Sequence, residues 1–555
     1  MKNGFLSKSL DLLTRRQTNI LSAAFVIMVT VIISQLLGLV RQRLLAGIFG
    51  PSNELGIYLY ATQLPDTLFQ LTIAAALSSA FIPVFSDYLA KGKEKEAHKM
   101  ASTLLAFGFV VFTVLSILLA IFAKDILQIF NLGSNFTPQD MEVMANLMRV
   151  IIFSQLLFIV GTFFTAMLQS YNHFFIPGIA AALYNLGIII GVLTLSQSFG
   201  IFSPAIGGIL GGLIFIIVQL PLARRVGFHF TPEFSYIKSE GVQKISKLMW
   251  PRTVSVVIFQ MGTIAVGAFI SFLGDPGRMN VIFDYAKTLA FAPVALFGQT
   301  IAQAAFPVLS REKDRPKEFK ETFINSFNQM LYLVLPISVL ILILRIPFVR
   351  LVYGASKFDW PATVLTGKTL AFFAVSIFAQ ALITLVLRAF YALHDTKIPL
   401  IIGGISTAIL IFFSYLFIIQ FHWGVESLSI AFSISSLLQL VVLFLLLEKK
   451  VGGFGKRFLF ITWSKFFISS FLTAFALYIP IKLLDQLVFD TTRTINLIIL
   501  TGISSLLGLS LYLFLTWFFD VKEAKAYTLM FKKVGNWRDI LKKSQELLGT
   551  GKDSS

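Results

Sequence analysis

The chain has 555 residues, 56% of them hydrophobic and only 13% charged, with 58 phenylalanines, no cysteine and a formal charge of +18. That composition is a polytopic helical membrane protein's, and the missing cysteines exclude disulfides, thiolate metal sites and cysteine nucleophiles. The positive residues gather in loops between apolar runs, where charge reports topology and attraction to anionic lipid; no nucleic-acid partner is expected.

The first apolar run starts at Ile20 and exceeds the roughly twenty residues that cross a bilayer. It is too long for a secretory h-region and lacks a small-residue cleavage pattern, so it reads as a retained span. A second run, Leu55 to Phe85, follows after a short Gly50-Pro51-Ser52-Asn53 turn. Apolar windows predict fourteen spans in all, at 20–49, 55–86, 101–123, 141–169, 174–196, 201–222, 246–273, 279–309, 322–346, 361–390, 398–421, 424–447, 458–483 and 494–519.

Alternate loops are basic. One set carries Lys2, Lys8, Arg15 and Arg16, then Lys91, Lys93, Lys95 and Lys99, then Arg224, Arg225, Lys238, Lys244 and Lys247. It continues with Arg311, Lys313, Arg315, Lys317 and Lys320, then Lys449, Lys450, Lys456 and Arg457. The other set holds only Lys124, Arg278, Lys357 and Arg493. The positive-inside rule makes the first set cytoplasmic, with both termini inside and an even number of spans. After Asp520, lysines and Arg538 mixed with Tyr527, Trp537 and Leu541 read as a basic amphipathic helix on the leaflet or as a solvated topogenic tail.

Two sequence echoes indicate a duplication. Ser79-Ala80-Phe81-Ile82-Pro83-Val84-Phe85-Ser86 recurs as Ala304-Ala305-Phe306-Pro307-Val308-Leu309-Ser310, and Leu168-Gln169-Ser170-Tyr171-Asn172-His173 is echoed by Phe390-Tyr391-Ala392-Leu393-His394-Asp395. Six spans repeated after six keep the same orientation, a parallel repeat that places substrate at the interface of the halves. The expected organisation is an N-terminal six-helix lobe at 1–222, a C-terminal six-helix lobe at 223–447, an extra helix pair at 448–520 and the basic tail at 521–555.

A charge at the centre of a span costs about 2.5 to 3.5 kcal/mol, so it needs a function or an escape to the interface. Arg41, Asp66, Arg149, Lys287 and Lys368 fall in or near the middle of predicted spans, and a wet cationic cavity lined by them would hold a phosphate-bearing headgroup. The alternative is snorkelling to the interface, the ordinary reading for Arg43, Arg252 and Arg388 near span ends. Arg41 and Arg43 lie about 200° apart on a helix, so at most one faces a bundle interior, and Arg41 is the one expected to do so. Asp66 can pair with a nearby arginine, and Asp284 with Lys287 at i+3. Pro65, Pro293 and Pro336 mark kinks, either plain packing geometry or hinges for alternating access.

The five histidines sit in or beside loops, so neither a metal site nor a cofactor is expected. No phosphate loop or catalytic constellation is visible, and among outward carboxylates only Asp485 and Asp490 pair, which argues against an enzyme.

Ser34-Gln35-Leu36-Leu37-Gly38-Leu39-Val40-Arg41, Ile48-Phe49-Gly50, Gln63-Leu64-Pro65 and Ala80-Phe81-Ile82-Pro83 resemble the opening of the MurJ (MviN) family of lipid II flippases, within the superfamily that includes the MATE exporters. Tyr285-Ala286-Lys287-Thr288-Leu289, Val352-Tyr353-Gly354-Ala355-Ser356-Lys357-Phe358-Asp359 and Arg388-Ala389-Phe390-Tyr391-Ala392-Leu393-His394-Asp395-Thr396-Lys397-Ile398-Pro399 look like its second-half motifs. The resemblance implies an all-α fold of fourteen helices, two six-helix lobes plus an extra pair lining a lipid-tail groove. It also implies movement of an undecaprenyl-pyrophosphate glycan, lipid II first, from inner to outer leaflet of the bacterial inner membrane by alternating access. Arg41 matches a cavity arginine that contacts pyrophosphate, and anionic lipids and the cell-wall synthesis machinery are the further partners. Several positions depart from the family pattern: Gln35, Gln63 and Phe69 stand for basic residues, Gln42 and Gly56 for acids, Ala74-Ala75-Ala76 for Glu-Gly-Ala, and Thr288 for an arginine beside Lys287. The seventh and eleventh spans lack the core carboxylates of the sodium site that some relatives have, which argues against sodium coupling and leaves membrane potential as a candidate drive. An O-antigen type of lipid-linked oligosaccharide, a membrane glycosyltransferase that polymerises such lipids, and a non-transporting scaffold are the competing readings.

Overall fold

The computed structural model describes residues 20–74, 80–487 and 494–524. Lys2, Lys8, Arg15, Arg16, Ala75, Ala76, Ser79, Asp490, Arg493 and the basic tail from Lys525 onward lie outside that set, as do the side chains of Arg252, Lys456, Arg457 and Asp485.

All regular structure among the described residues is helical. The first half runs α1 (Ile20–Ile48), α2 (Asn53–Phe69), α3 (Ile82–Ala90), α4 (Glu94–Ile121), α5 (Ala123–Ile129), α6 (Pro138–Ser170), α7 (Phe175–Phe199) and α8 (Ser203–Arg225). The second runs α9 (Glu240–Ser271), α10 (Pro276–Pro293), α11 (Thr300–Arg311), α12 (Pro316–Ile343), α13 (Arg345–Tyr353), α14 (Trp360–Ala392), α15 (Lys397–Tyr415) and α16 (Glu426–Val451). Two further helices, α17 (Lys456–Leu487) and α18 (Thr494–Phe518), close the described chain.

The halves keep step in their backbone. α4 and α12 are both 28 residues long and α6 and α14 both 33, each pair starting 222 residues apart. The caps keep the same spacing. Thr137 opens α6 with a capping box, its hydroxyl accepting from the Asp140 amide at 3.2 Å, and Asp359 opens α14 by accepting from the Ala362 amide at 2.8 Å. Asn172 and His394, which turn the chain into α7 and α15, both adopt left-handed backbone at φ 62° and 55°. A widened π-helical segment follows α2 at Gln70–Ala74 and follows α10 at Val294–Gln299.

Twelve stretches among the described residues are long and apolar enough to cross a bilayer; one of them, Phe175–Arg225, contains both α7 and α8. The second expected span is interrupted by residues outside the described set. Large apolar side chains such as Ile117, Phe153, Ile217, Phe412, Phe471 and Leu506 stand outward and exposed, as lipid-facing positions do. The chain is an all-α polytopic membrane protein.

It divides into two compact units: residues 1–287, 352–369 and 400–435, and residues 288–351, 370–399 and 436–555. The first unit has an aromatic core around Phe81, Phe85, Phe163 and Phe228. There α7 and α8 press backbone to backbone: a Cβ on Gly187 would lie 2.3 Å from the Gly211 Cα, and one on Gly191 2.4 Å from the Gly207 Cα. In the second unit α12, α17 and α18 pack through Tyr332, Phe466 and Tyr512.

Candidate functional site

The apolar length of α1 makes it a span, and Arg41 sits two turns from its end. The 200° offset sends the neighbouring arginines to different surroundings. Arg43 donates from Nη1 to the Val352 carbonyl and from Nη2 to that of Gly354, both at 3.2 Å, closing the end of α13. Arg41 is half-buried, and its Nε is buried with no hydrogen-bond partner among the described residues.

Two carboxylates stand within electrostatic reach of Arg41: Asp66 on α2 and Asp284 on α10. The hydroxyls of Tyr58, Tyr184 and Tyr285 complete its charged and polar surroundings. Asp66 does not form a contact ion pair with Arg41; Gln155 of α6 donates to it through Nε2. The other end of that amide, Oε1, is buried without a partner, in a side chain 7% exposed. Lys287, one turn after Asp284, acts on that carboxylate electrostatically without reaching the 4.0 Å of an ion pair. The structure therefore gathers Arg41, Asp66, Asp284 and Lys287 in the first unit, with unsatisfied donor and acceptor capacity at Arg41 and Gln155. In an apolar surround such capacity acts strongly on a ligand carrying charge.

Arg149 and Lys368 are placed elsewhere. Arg149 donates from Nε to the Ala120 carbonyl at 3.0 Å and from Nη1 to the Asn146 side chain at 2.6 Å, capping the C-terminal end of α4. Lys368, an exposed residue on α14, pairs with Glu426 at 2.6 Å. Pro293 immediately precedes the π-helical segment Val294–Gln299 and Pro65 lies in the last turns of α2 before the one at Gln70–Ala74, whereas Pro336 is buried within an unbroken α12. Arg388 lies 5.5 Å over the Phe306 ring.

Several departures from the family pattern have local reasons. A Cβ on Gly56 would lie 2.2 Å from the Gly277 backbone, so the close approach of α2 to α10 leaves no room for an aspartate. Gln42 accepts at Oε1 from the Tyr353 hydroxyl at 3.0 Å, and its carbonyl accepts from Tyr285 at 3.2 Å, beneath a Tyr285–Tyr353 stack with centroids 4.3 Å apart. Gln63 donates to the Thr263 carbonyl at 2.9 Å and Tyr60 to that of Gly267 at 2.9 Å, holding α2 against α9. Sequence reasoning missed Gln155 and the tyrosines. A lone amide in an apolar span was the available signal for Gln155; nothing local marked Tyr58 or Tyr184, and Tyr285 stood in a family-like motif without a role of its own. No group of three or more metal-ligating side chains occurs among the described residues.

The sequence and the fold have counterparts among known proteins. The chain is 26% identical over 501 residues to a probable lipid II flippase MurJ of Buchnera aphidicola subsp. Schizaphis graminum, covering 88% of this chain and 96% of that protein. A probable lipid II flippase MurJ of Thermotoga maritima is 26% identical over 407 residues, 72% of this chain and 80% of that one. A solved lipid II flippase MurJ in an inward closed conformation matches with a TM-score of 0.72 at 23% identity, over 89% of this chain and 98% of that one. An inward-facing MATE family multidrug resistance transporter of the MOP superfamily matches with a TM-score of 0.63 at 14% identity, over 76% of this chain and 96% of that one. Both structural likenesses bear on the fold alone. The model of the family described as lipid II flippase MurJ matches residues 45–497, the larger part of the sequence, and on that ground the chain belongs to the MurJ family.

Proposed function

We propose that this protein is a flippase for an undecaprenyl-pyrophosphate-linked glycan, lipid II, carried from the inner to the outer leaflet of the bacterial inner membrane by alternating access. The observation that carries the reading beyond family membership is the buried, unpartnered Nε of Arg41 beside Asp66, Asp284 and Lys287. A guanidinium with free donor capacity suits a pyrophosphate, which accepts bidentate charge-assisted hydrogen bonds. Asp66 and Asp284 act on Arg41 and Lys287 electrostatically while no substrate is bound and limit the net charge left inside the span. Pro65 and Pro293, ahead of the π-helical segments, are the proposed hinges.

The two six-helix lobes, 1–222 and 223–447, are proposed as copies of one half; the common spacing of their helices and caps supports this. Both termini are proposed to be cytoplasmic on the strength of the loop charges. The membrane potential, worth about 2.3 kcal/mol per charge per 100 mV, is the proposed drive. Anionic lipids and the cell-wall synthesis machinery are the proposed further partners.

Complementation tests the reading. The chain is expected to restore growth and outer-leaflet lipid II to a bacterium depleted of its own flippase, and Arg41→Ala is expected to abolish both while the protein accumulates normally. Failure of the unaltered chain to raise outer-leaflet lipid II, or undiminished rescue by the Arg41 variant, defeats it.

A further inference from the structure

The second unit contains a cavity of about 490 Å³, inside the roughly 300–1,000 Å³ range of small-ligand sites. Its walls are the start of α12, the start of α17 and the residues that follow α18. Asn328 lines it and is only 4% exposed. Its Oδ1 accepts from Trp463 Nε1 at 3.0 Å, and no acceptor for its Nδ2 stands among the described residues. A buried amide so placed presents a donor to whatever enters.

Two ammonium groups are fixed nearby. Lys465 Nζ donates to the Phe519 carbonyl at 2.7 Å and Lys320 Nζ to that of Gly452 at 2.8 Å. Each has three donors, so both keep capacity for a ligand. The same cavity carries Lys522 and three carboxylates, Glu321, Asp520 and Glu523, so its charges balance. Its position is the edge of the apolar slab, where α17 begins at Lys456 and α18 ends at Phe518. Ile461 lines the cavity and is also exposed on the flank of α17, an apolar way out toward lipid.

We propose that this cavity binds the phosphoethanolamine headgroup of a membrane phospholipid, with the phosphate toward Asn328 and Lys465, the ammonium toward Glu321 and Glu523, and the acyl chains leaving over Ile461. An anionic headgroup would satisfy the lysines but bring a net negative charge up against Glu321 and Glu523 in a cavity whose charges already balance. A quaternary choline carries the right charges but has no N–H to donate to a carboxylate. A primary ammonium paired with a phosphodiester satisfies both sets through charge-assisted hydrogen bonds. The site is separate from the Arg41 cluster and does not depend on what that cluster carries.

Native mass spectrometry of the purified full chain tests it, with phosphatidylethanolamine, phosphatidylglycerol, phosphatidylcholine and free phosphoethanolamine as titrants. One phosphatidylethanolamine is expected to bind about tenfold more tightly than the other two lipids, and Lys465→Met to remove about tenfold of that affinity. Glu321→Gln with Glu523→Gln, changes on the cavity wall that leave the helix core intact, are expected to erase the preference over phosphatidylglycerol. Equal affinity for the three lipids, or a preference untouched by the paired glutamine variant, overturns the proposal. Free phosphoethanolamine binding as tightly as the lipid overturns the membrane source. Binding of phosphatidylethanolamine only after removal of residues 525–555 overturns it as well, because the chain's own tail is then the occupant.

Discussion

Arg149 uses its guanidinium on the Ala120 carbonyl and the Asn146 side chain, so removing it leaves the last turn of α4 with an unmet acceptor. Hydrogen bonds from a charged donor contribute about 1.5–3 kcal/mol each. Arg149→Ala is therefore expected to destabilise the fold by about 2 kcal/mol and to lower the melting temperature of the detergent-purified protein. Arg41→Ala gives up no bond at its Nε and only electrostatic attraction to Asp66 and Asp284, and is expected to lower melting less than Arg149→Ala. A melting curve for each variant separates them; equal losses would mean that Arg41 is also a packing residue. From sequence the two arginines looked alike, each a cation inside an apolar run. What distinguishes them is which neighbouring helix supplies an acceptor, and no pattern local to either residue encodes that.

Helix starts and stops were largely legible. The predicted 141–169, 174–196 and 361–390 spans correspond to α6, α7 and α14, because Thr137, Pro138 and Asp359 punctuate apolar runs in the ways that open helices. The short helices α5 and α13 and the π-helical segments were not foreseen. Seven or nine residues beside a span carry no period of their own, and an extra residue per turn leaves no compositional trace. The start of α15 carries a pH dependence. Asp395 accepts from the Lys397 and Ile398 amides and pairs with Lys450. Burial pushes its carboxyl up, but Lys450 and the two amides outweigh that and hold it below the ordinary carboxylate range. A carboxylate depressed on folding stabilises above its unfolded-state value, near 4, and that contribution fades as pH falls through the lower folded-state value. Asp395→Asn keeps the cap and loses the charge. It is expected to cost roughly 1 kcal/mol at pH 7, and the difference in melting temperature from the unaltered protein should close below about pH 4. A gap that persists in acid would assign the effect to the cap instead.

For the molecule as a whole, loop charge is the only guide to which side each terminus occupies, and the chain offers a direct check because it has no cysteine of its own. Lys313→Cys is expected to resist a membrane-impermeant maleimide added to intact cells, and Gly274→Cys to react with it. Gly274 has nothing within 4 Å of an added Cβ, so that variant should fold normally. Reversed labelling would invert the proposed topology. The proposed repeat was suggested by two short echoes, and the common spacing of helix lengths and caps supports it where sequence could not, since Thr137 and Asp359 share a role without sharing a residue type.

The widened turns at Gln70–Ala74 and Val294–Gln299 occupy corresponding places in the two halves although their side chains have little in common. Under the proposed duplication, this irregularity already existed in a half-sized ancestor. On that history the widened turn after α2 is older than the joined chain itself, and its partner after α10 is the same feature carried twice.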